Sequence, residues 1–209
     1  MSDLRQPSID PGQFRRALGQ FATGVTVITV QNGDVMHGMT ANTFTSLSLD
    51  PPLVLFCVRR DARMMRFLDG ADGFAINVLS ADQETVSNHF AGQPALSEAD
   101  VEILRRGPLA PLIPGALVSL TCGLEARHEG GDHWIIVGRV LEIHEPETGL
   151  PRPPLIFFRS RYATLFERPA PAEERVVWSN DAIRIYHDEW SADPDEVMEA
   201  EYVRAQIWE

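Results

Sequence analysis

The spacing of hydrophobic and polar positions changes period several times along this chain, and each change marks an element. Phe14, Leu18 and Phe21 recur at helical spacing behind Asp10-Pro11, an N-cap and a first-turn proline, so the pattern predicts a helix that Gly24 ends. Val25 to Val30 and Val35 to Thr40 flank QNGD. Asn32-Gly33 suits the φ > 0 geometry of a two-residue turn, so these segments read as a β-hairpin. After Pro51-Pro52, LVLFCV is continuously apolar, as in a strand buried on both faces.

Asp61 is placed to cap a short helix, RMMRFLDG, ending at Gly70, and Phe74 to Ser80 predicts a further strand. Ser80 and Gln83 form a capping-box pattern opening a helix that ends near Gly92. Gln93 to Gly115, rich in proline and acidic residues, reads as loop with a short helix around Ser97 to Leu104. Two long β segments, Ala116 to Arg127 and His133 to His144, are joined by EGGD, and LIFFR adds another strand. About six or seven strands in a hairpin-heavy order, without strand–helix alternation, predict a mainly β fold with flanking helices. An antiparallel barrel fits this order better than a doubly wound sheet.

The segment RPAPAEER reads as a linker, dividing the chain into a domain over 1–168 and an extension over 169–209. Asp193-Pro194 starts a final helix, and burial of Trp178, Trp190 and Trp208 predicts an extension packed on the barrel or on a partner subunit.

Composition narrows the function. A formal charge of −12 argues against broad nucleic-acid affinity, which rests on clustered Lys and Arg. All 18 basic residues are arginine, which excludes a Schiff-base lysine and a Walker-type phosphate loop. Cys57 and Cys122 sit in separate apolar runs, as reduced thiols do. No apolar run approaches membrane-spanning length, and MSDLRQPSID lacks a signal-type core, so a cytoplasmic protein without membrane attachment is expected.

One stretch, GMTANTFTSLSLDPPL from Gly38 to Leu53, carries hydroxyls and an amide where a core strand carries aliphatics. These groups either face solvent or bind a ligand. The apolar neighbours Leu47, Leu49, Leu53 and Leu55 place the stretch beside the core, where unpartnered polar groups are costly, and this favours a ligand rich in acceptors. Arg59, Arg60 and Arg63 follow about one strand later and could hold a phosphate.

FRRALGQFATGVTVIT, GMTANTFTSLSLDPPLVLFCV, FAINVLSADQ and GDHWIIVGRV, in that order, resemble the flavin reductase family with the FMN-binding split β-barrel fold. The resemblance implies a homodimer that transfers hydride from NADH (or NADPH) to FMN (or FAD) and serves a flavin-dependent monooxygenase. By motif position it places Thr40, Ala41, Asn42 and Thr43 along the isoalloxazine, with Ser46, Cys57, Val58 and Arg59 on the ribityl and phosphate. An arginine clamp including Arg63 is expected because Asp61-Ala62-Arg63-Met64 stands where relatives often carry small hydroxyls. His133 would contact the nicotinamide, with no covalent catalysis, and Tyr162 is either a wall of the same pocket or a core residue. No metal is expected, since His128, His133 and Cys122 match no zinc spacing. Two alternatives remain: an oxidoreductase that retains its FMN and acts on another substrate, or a non-catalytic flavin-binding protein.

Overall fold

The computed structural model describes residues 9–93, 105–106, 109–146, 152–165, 175–179 and 182–186. By internal contacts the chain forms two units, Met1–Leu165 and Phe166–Glu209. The first unit begins with α1 (Pro11–Leu18), β1 (Thr23–Gly24), β2 (Thr26–Asn32), β3 (Val35–Ala41), β4 (Thr45–Leu49) and β5 (Pro52–Arg59). Next come α2 (Arg63–Leu68), β6 (Gly73–Val78), a 3-10 turn (Ala81–Gln83), α3 (Glu84–Phe90) and the short pair β7 (Arg105–Arg106) and β8 (Pro111–Leu112). The unit closes with β9 (Val118–Gly130), β10 (His133–His144), β11 (Leu155–Phe158) and β12 (Arg161–Thr164). The second unit contains an antiparallel hairpin, β13 (Arg175–Ser179) and β14 (Ala182–Tyr186). The helices expected at Ser97 to Leu104 and after Asp193 lie outside the described residues. No helix among the described residues is long and apolar enough to cross a membrane.

Seven strands form one antiparallel sheet in the order β3-β2-β6-β9-β10-β5-β4. Laid flat, its six inter-strand gaps would separate the edges by about 29 Å. The edge strands β3 and β4 are joined only by Asn42, Thr43 and Phe44, and the four Cα steps from Ala41 to Thr45 reach at most about 14 Å. The sheet is therefore rolled, bringing its two edges toward each other.

Burial follows from what packs on each face of a strand. Ile28, Val30, Val54, Phe56, Val58, Phe74, Ile76 and Ile136 pack into one cluster with Met64, Met65 and Leu68 of α2. Val25, Val27, Leu79, Ile113, Ala116 and Leu155 form a second. The strands buried on both faces are β2 and β6, not the continuously apolar β5: Thr26 to Val30 and Gly73 to Asn77 are all buried, whereas β5 alternates. Second from the β3 edge, β2 lies between the two clusters, and its hydroxyls are satisfied by the carbonyls of Ala41 and Pro111. One position in from the edge, β5 buries Val54, Phe56 and Val58 and leaves Leu53, Leu55 and Cys57 half-exposed on its other face.

Four local expectations change. Helix α1 has its Asp10 cap, with Oδ2 accepting from Gln13 N at 2.6 Å, but it stops at Leu18, and Phe14, Leu18 and Phe21 are 52%, 57% and 76% exposed. Gly24 belongs to β1 and ends no helix. The β2–β3 turn is centred on Gly33-Asp34, with Asn32 paired to Val35 and Gly33 at φ 59°. A glycine with positive φ at the first central position is the II′ arrangement. Asp61 does not cap α2; Ala62 stands there without a side-chain bond, and Asp61 pairs with Arg59 at 2.7 Å. The β11–β12 hairpin was not anticipated, because Arg159 and Ser160 take φ 50° and 61° without the Gly or Asn that marks such turns. Tertiary bonds hold it: Arg159 N donates to Gly19 O at 2.9 Å, and its guanidinium donates to Gln20 Oε1 at 2.7 and 2.9 Å.

Candidate functional site

The polar stretch lies at the edge of the sheet rather than beside the core. β4 has β5 as its one neighbour, and Leu47 and Leu49 are 47% and 71% exposed. The argument from burial therefore fails, because an edge strand can leave its hydroxyls in water. Three of those hydroxyls are bound within the protein, Thr45 Oγ1 only locally, donating to Ser46 O at 3.4 Å. Thr40 Oγ1 donates to the Ser87 carbonyl at 2.6 Å. Thr43 Oγ1 accepts from Cys57 N at 2.9 Å and donates to Cys57 O at 3.2 Å. Ala41 is buried, and its carbonyl accepts from Thr26 Oγ1 at 2.8 Å. Asn42 and Ser46 are exposed, and among the described residues their side chains have no hydrogen-bond partner.

Register places these groups around β5. Thr45 and Ser46 stand opposite Leu55 and Val54, and after a bulge Ser48 stands opposite Leu53. Thr45 and Ser48 thus share a face with the half-exposed Leu55 and Leu53, while Ser46 shares one with buried Val54. On the other side of β5, Cys57, Val58 and Arg59 stand opposite Ile135, Trp134 and His133 of β10. Val58 is 1% exposed, so only its backbone is available to a ligand. Burial pushes the Cys57 thiol up from its ordinary value.

The arginines are less free than the sequence implies. Arg59 pairs with Asp61, Arg60 reaches Glu129 at 3.5 Å and lies 4.9 Å over Trp134, and Arg63, exposed at the start of α2, lies 5.6 Å over Phe67. His133 opens β10 with Nδ1 at 2.8 Å from Asp132 Oδ1. That hydrogen bond is the largest cause holding the Asp132 carboxyl below its usual range.

Tyr162 belongs to a different group. Its ring packs 5.7 Å from Phe157, and its hydroxyl meets Ser87 Oγ at 2.9 Å and Asn88 Oδ1 at 3.1 Å. The structure thus gathers Thr43, Cys57, Val58, Arg59 and His133 at one end of β5 and β10, and Thr40 and Tyr162 around Ser87. The short Ala41–Asn42 link connects the two groups along the chain. A cavity of about 280 Å³ beside β3 and α3 is lined by Met36, His37, Phe90 and Pro111 among others, and none of the predicted residues lines it.

Sequence reasoning missed Ser87, Asn88 and Asp132. Ser87 and Asn88 carry no motif, and only the packing of α3 on β3 reveals them. Asp132 had a signal in the Gly-Asp-His turn of GGDHW, where a carboxylate precedes the singled-out histidine.

Residues 18–165 match the family described as Flavin reductase like domain. The chain is 41% identical over 162 residues to an NADH-dependent flavin reductase from Rhodococcus sp, covering 76% of this chain and 89% of that one. It is 43% identical over 156 residues to the reductase component of 4-hydroxyphenylacetate 3-monooxygenase from Thermus thermophilus, covering 73% and 95%. Its structure is similar to that of the NADH:FAD oxidoreductase SgcE6 of Streptomyces globisporus C-1027 in complex with NAD and FAD fragments. There the TM-score is 0.67 at 40% identity, covering 78% of this chain and 98% of that one.

Proposed function

Because the chain belongs to the flavin reductase-like family, we propose that it is an NADH-dependent flavin reductase, an oxidoreductase that supplies reduced FMN or FAD to a partner flavin-dependent monooxygenase. The rolled antiparallel sheet supports a split β-barrel, and its exposed, apolar-flanked edge supports a homodimer with the flavin near the subunit interface. The two free thiols support a cytoplasmic setting. The extension beyond Pro169 is an addition to this machinery whose role stands as a lid, a strap or a docking surface.

The observation that carries this reading is the edge itself. Thr45 and Ser48 share a face with a half-exposed apolar strip formed by Leu53, Leu55 and Cys57, and Asn42 and Ser46 add exposed, unpartnered polar side chains to the same edge segment. That combination fits a flat heteroaromatic ring with a hydroxylated chain, polar groups meeting polar edges and aliphatics meeting the face. When both substrates are bound, hydride passes from nicotinamide C4 to flavin N5, and the reduced ring gains negative charge. This chain's part is placement. Thr40 and Thr43 spend their hydroxyls on the protein, so they hold the backbone around Ala41 and Asn42 in place and offer main-chain groups. Asn42 and Ser46 offer side-chain hydrogen bonds, Arg59 and Arg63 offer charge to a phosphate, and His133 meets the nicotinamide. No nucleophile is needed.

Steady-state oxidation of NADH by the purified protein, with FMN and with FAD, tests the proposal. Flavin-dependent turnover is expected, and none above background would overturn it. His133→Ala should raise the KM for NADH more than the KM for flavin, and an equal loss of both would remove the role given to His133.

A further inference from the structure

We propose that Asp132 is a positioning residue for this reaction, its carboxylate locking the His133 ring so that Nε2 is the hydrogen-bond acceptor turned toward the nicotinamide carboxamide. The inference rests on the reading that His133 meets the nicotinamide, and goes beyond it by assigning the atom and the residue that orients it.

The placement is built from the turn. β9 ends at Gly130 and β10 begins at His133, paired to each other across Gly131-Asp132. Gly131, at φ 72°, lets the chain reverse over two residues. Adjacent residues within a strand point to opposite faces. Asp132 lies in the turn, before the strand begins, which frees its side chain to fold toward that of His133. The turn is tied to the exit of β5: Arg60 N donates to Asp132 O at 3.1 Å, and His133 stands opposite Arg59. Carboxylate and imidazole are therefore both referred to the strand that carries Cys57, Val58 and Arg59.

The neighbouring guanidiniums hydrogen-bond or pair with other carboxylates, although the charge of Arg59 also helps to lower the Asp132 carboxyl. The Arg59 guanidinium bonds Asp61 at 2.7 Å, and that of Arg60 reaches Glu129 at 3.5 Å. Among the described residues the Asp132 carboxylate makes its one side-chain hydrogen bond to His133, at 2.8 Å. That bond holds its carboxyl below the usual range, so at neutral pH it is ionised and can only accept. Nδ1 must then carry the proton, and in the neutral ring Nε2 is left with its lone pair. A lone pair at that position suits the amide N–H of a carboxamide.

Long-range ¹H–¹⁵N spectra of ¹⁵N-histidine-labelled protein, free of flavin and NADH, test this independently of turnover, with the His133 signal assigned from its loss in His133→Ala. The wild type should show the Nδ1–H tautomer. In Asp132→Asn the amide can donate to Nδ1, so the tautomer should invert. The KM for NADH should then rise about threefold to tenfold, with kcat and the KM for flavin within about twofold, and Asp132→Glu should recover part of the loss. An Nε2–H tautomer in the wild type overturns the positioning role alone. So does an unchanged KM for NADH in Asp132→Asn when His133→Ala raises it, or an equal rise in the KM for flavin. If His133→Ala itself leaves the KM for NADH unmoved, the nicotinamide role of His133 falls and this inference with it.

Discussion

The Thr43 hydroxyl takes both backbone groups of Cys57, accepting from its N–H at 2.9 Å and donating to its carbonyl at 3.2 Å. Thr43 precedes β4, so its side chain extends the β4–β5 ladder by one rung where the backbone has not yet entered it. Two consequences follow for a residue that the sequence pointed toward a ligand. Its hydroxyl is committed to the sheet, and its loss leaves the edge less tightly closed.

Thr43→Val, which keeps shape but not hydrogen bonding, should lower the unfolding free energy by about 1 kcal/mol, the modest end of the range because the site is exposed. Thr43→Ser should retain most of it. Urea midpoints of the two variants at equal slope are the check.

Tyr162 and Thr40 both close on Ser87, which is fully buried. Tyr162→Phe should cost about 1–2 kcal/mol, since Ser87 Oγ loses its partner away from water. In the double variant with Ser87→Ala the costs should fall short of additive, as they do for residues sharing one bond. Full additivity would show that the two hydroxyls do not support each other.

Gly138 lies in β10 where a Cβ would stand 2.4 Å from the end of the Phe74 ring and 3.2 Å from Cys122 Cβ. Phe74 is fully buried and packs edge-to-face on Phe56 at 5.3 Å, so it has nowhere to swing. Gly138→Ala should destabilise by about 2 kcal/mol through overpacking, read as a lower midpoint in thermal unfolding.

The two cysteines should separate by reactivity. The thiolate is the species that reacts, and burial raises both thiols, Cys122 to about 12. Iodoacetamide should therefore label folded protein at Cys57 only, faster as pH rises, with Cys122 reacting after denaturation. Mass spectrometry of the digest distinguishes the two, and rapid native labelling of Cys122 would contradict its placement in the core.

Local chemistry was legible in the sequence. The Asp10 cap, the capping-box partners Ser80 and Gln83, with Gln83 Oε1 accepting from Ser80 N at 3.1 Å, and the long β9–β10 pair each depend on residues a few positions apart. The ordered motifs likewise pointed to the family. Which strands are covered on both faces was not legible, because it depends on neighbours distant in sequence. The run LVLFCV looked like a strand buried on both faces, yet β5 and β2 each stand second from an edge, and of the two only β2 has an apolar cluster on each face. The same cause moved Leu47 and Leu49 from the expected core to the exposed edge and turned the hydroxyls of Thr40 and Thr43 from free ligand groups into supports of the sheet. The residue types and their periods were set by the chain alone. Which of their faces met protein and which stayed open was decided by the rolling of the sheet, because burial and hydrogen-bond satisfaction depend on what lies opposite each side chain in space.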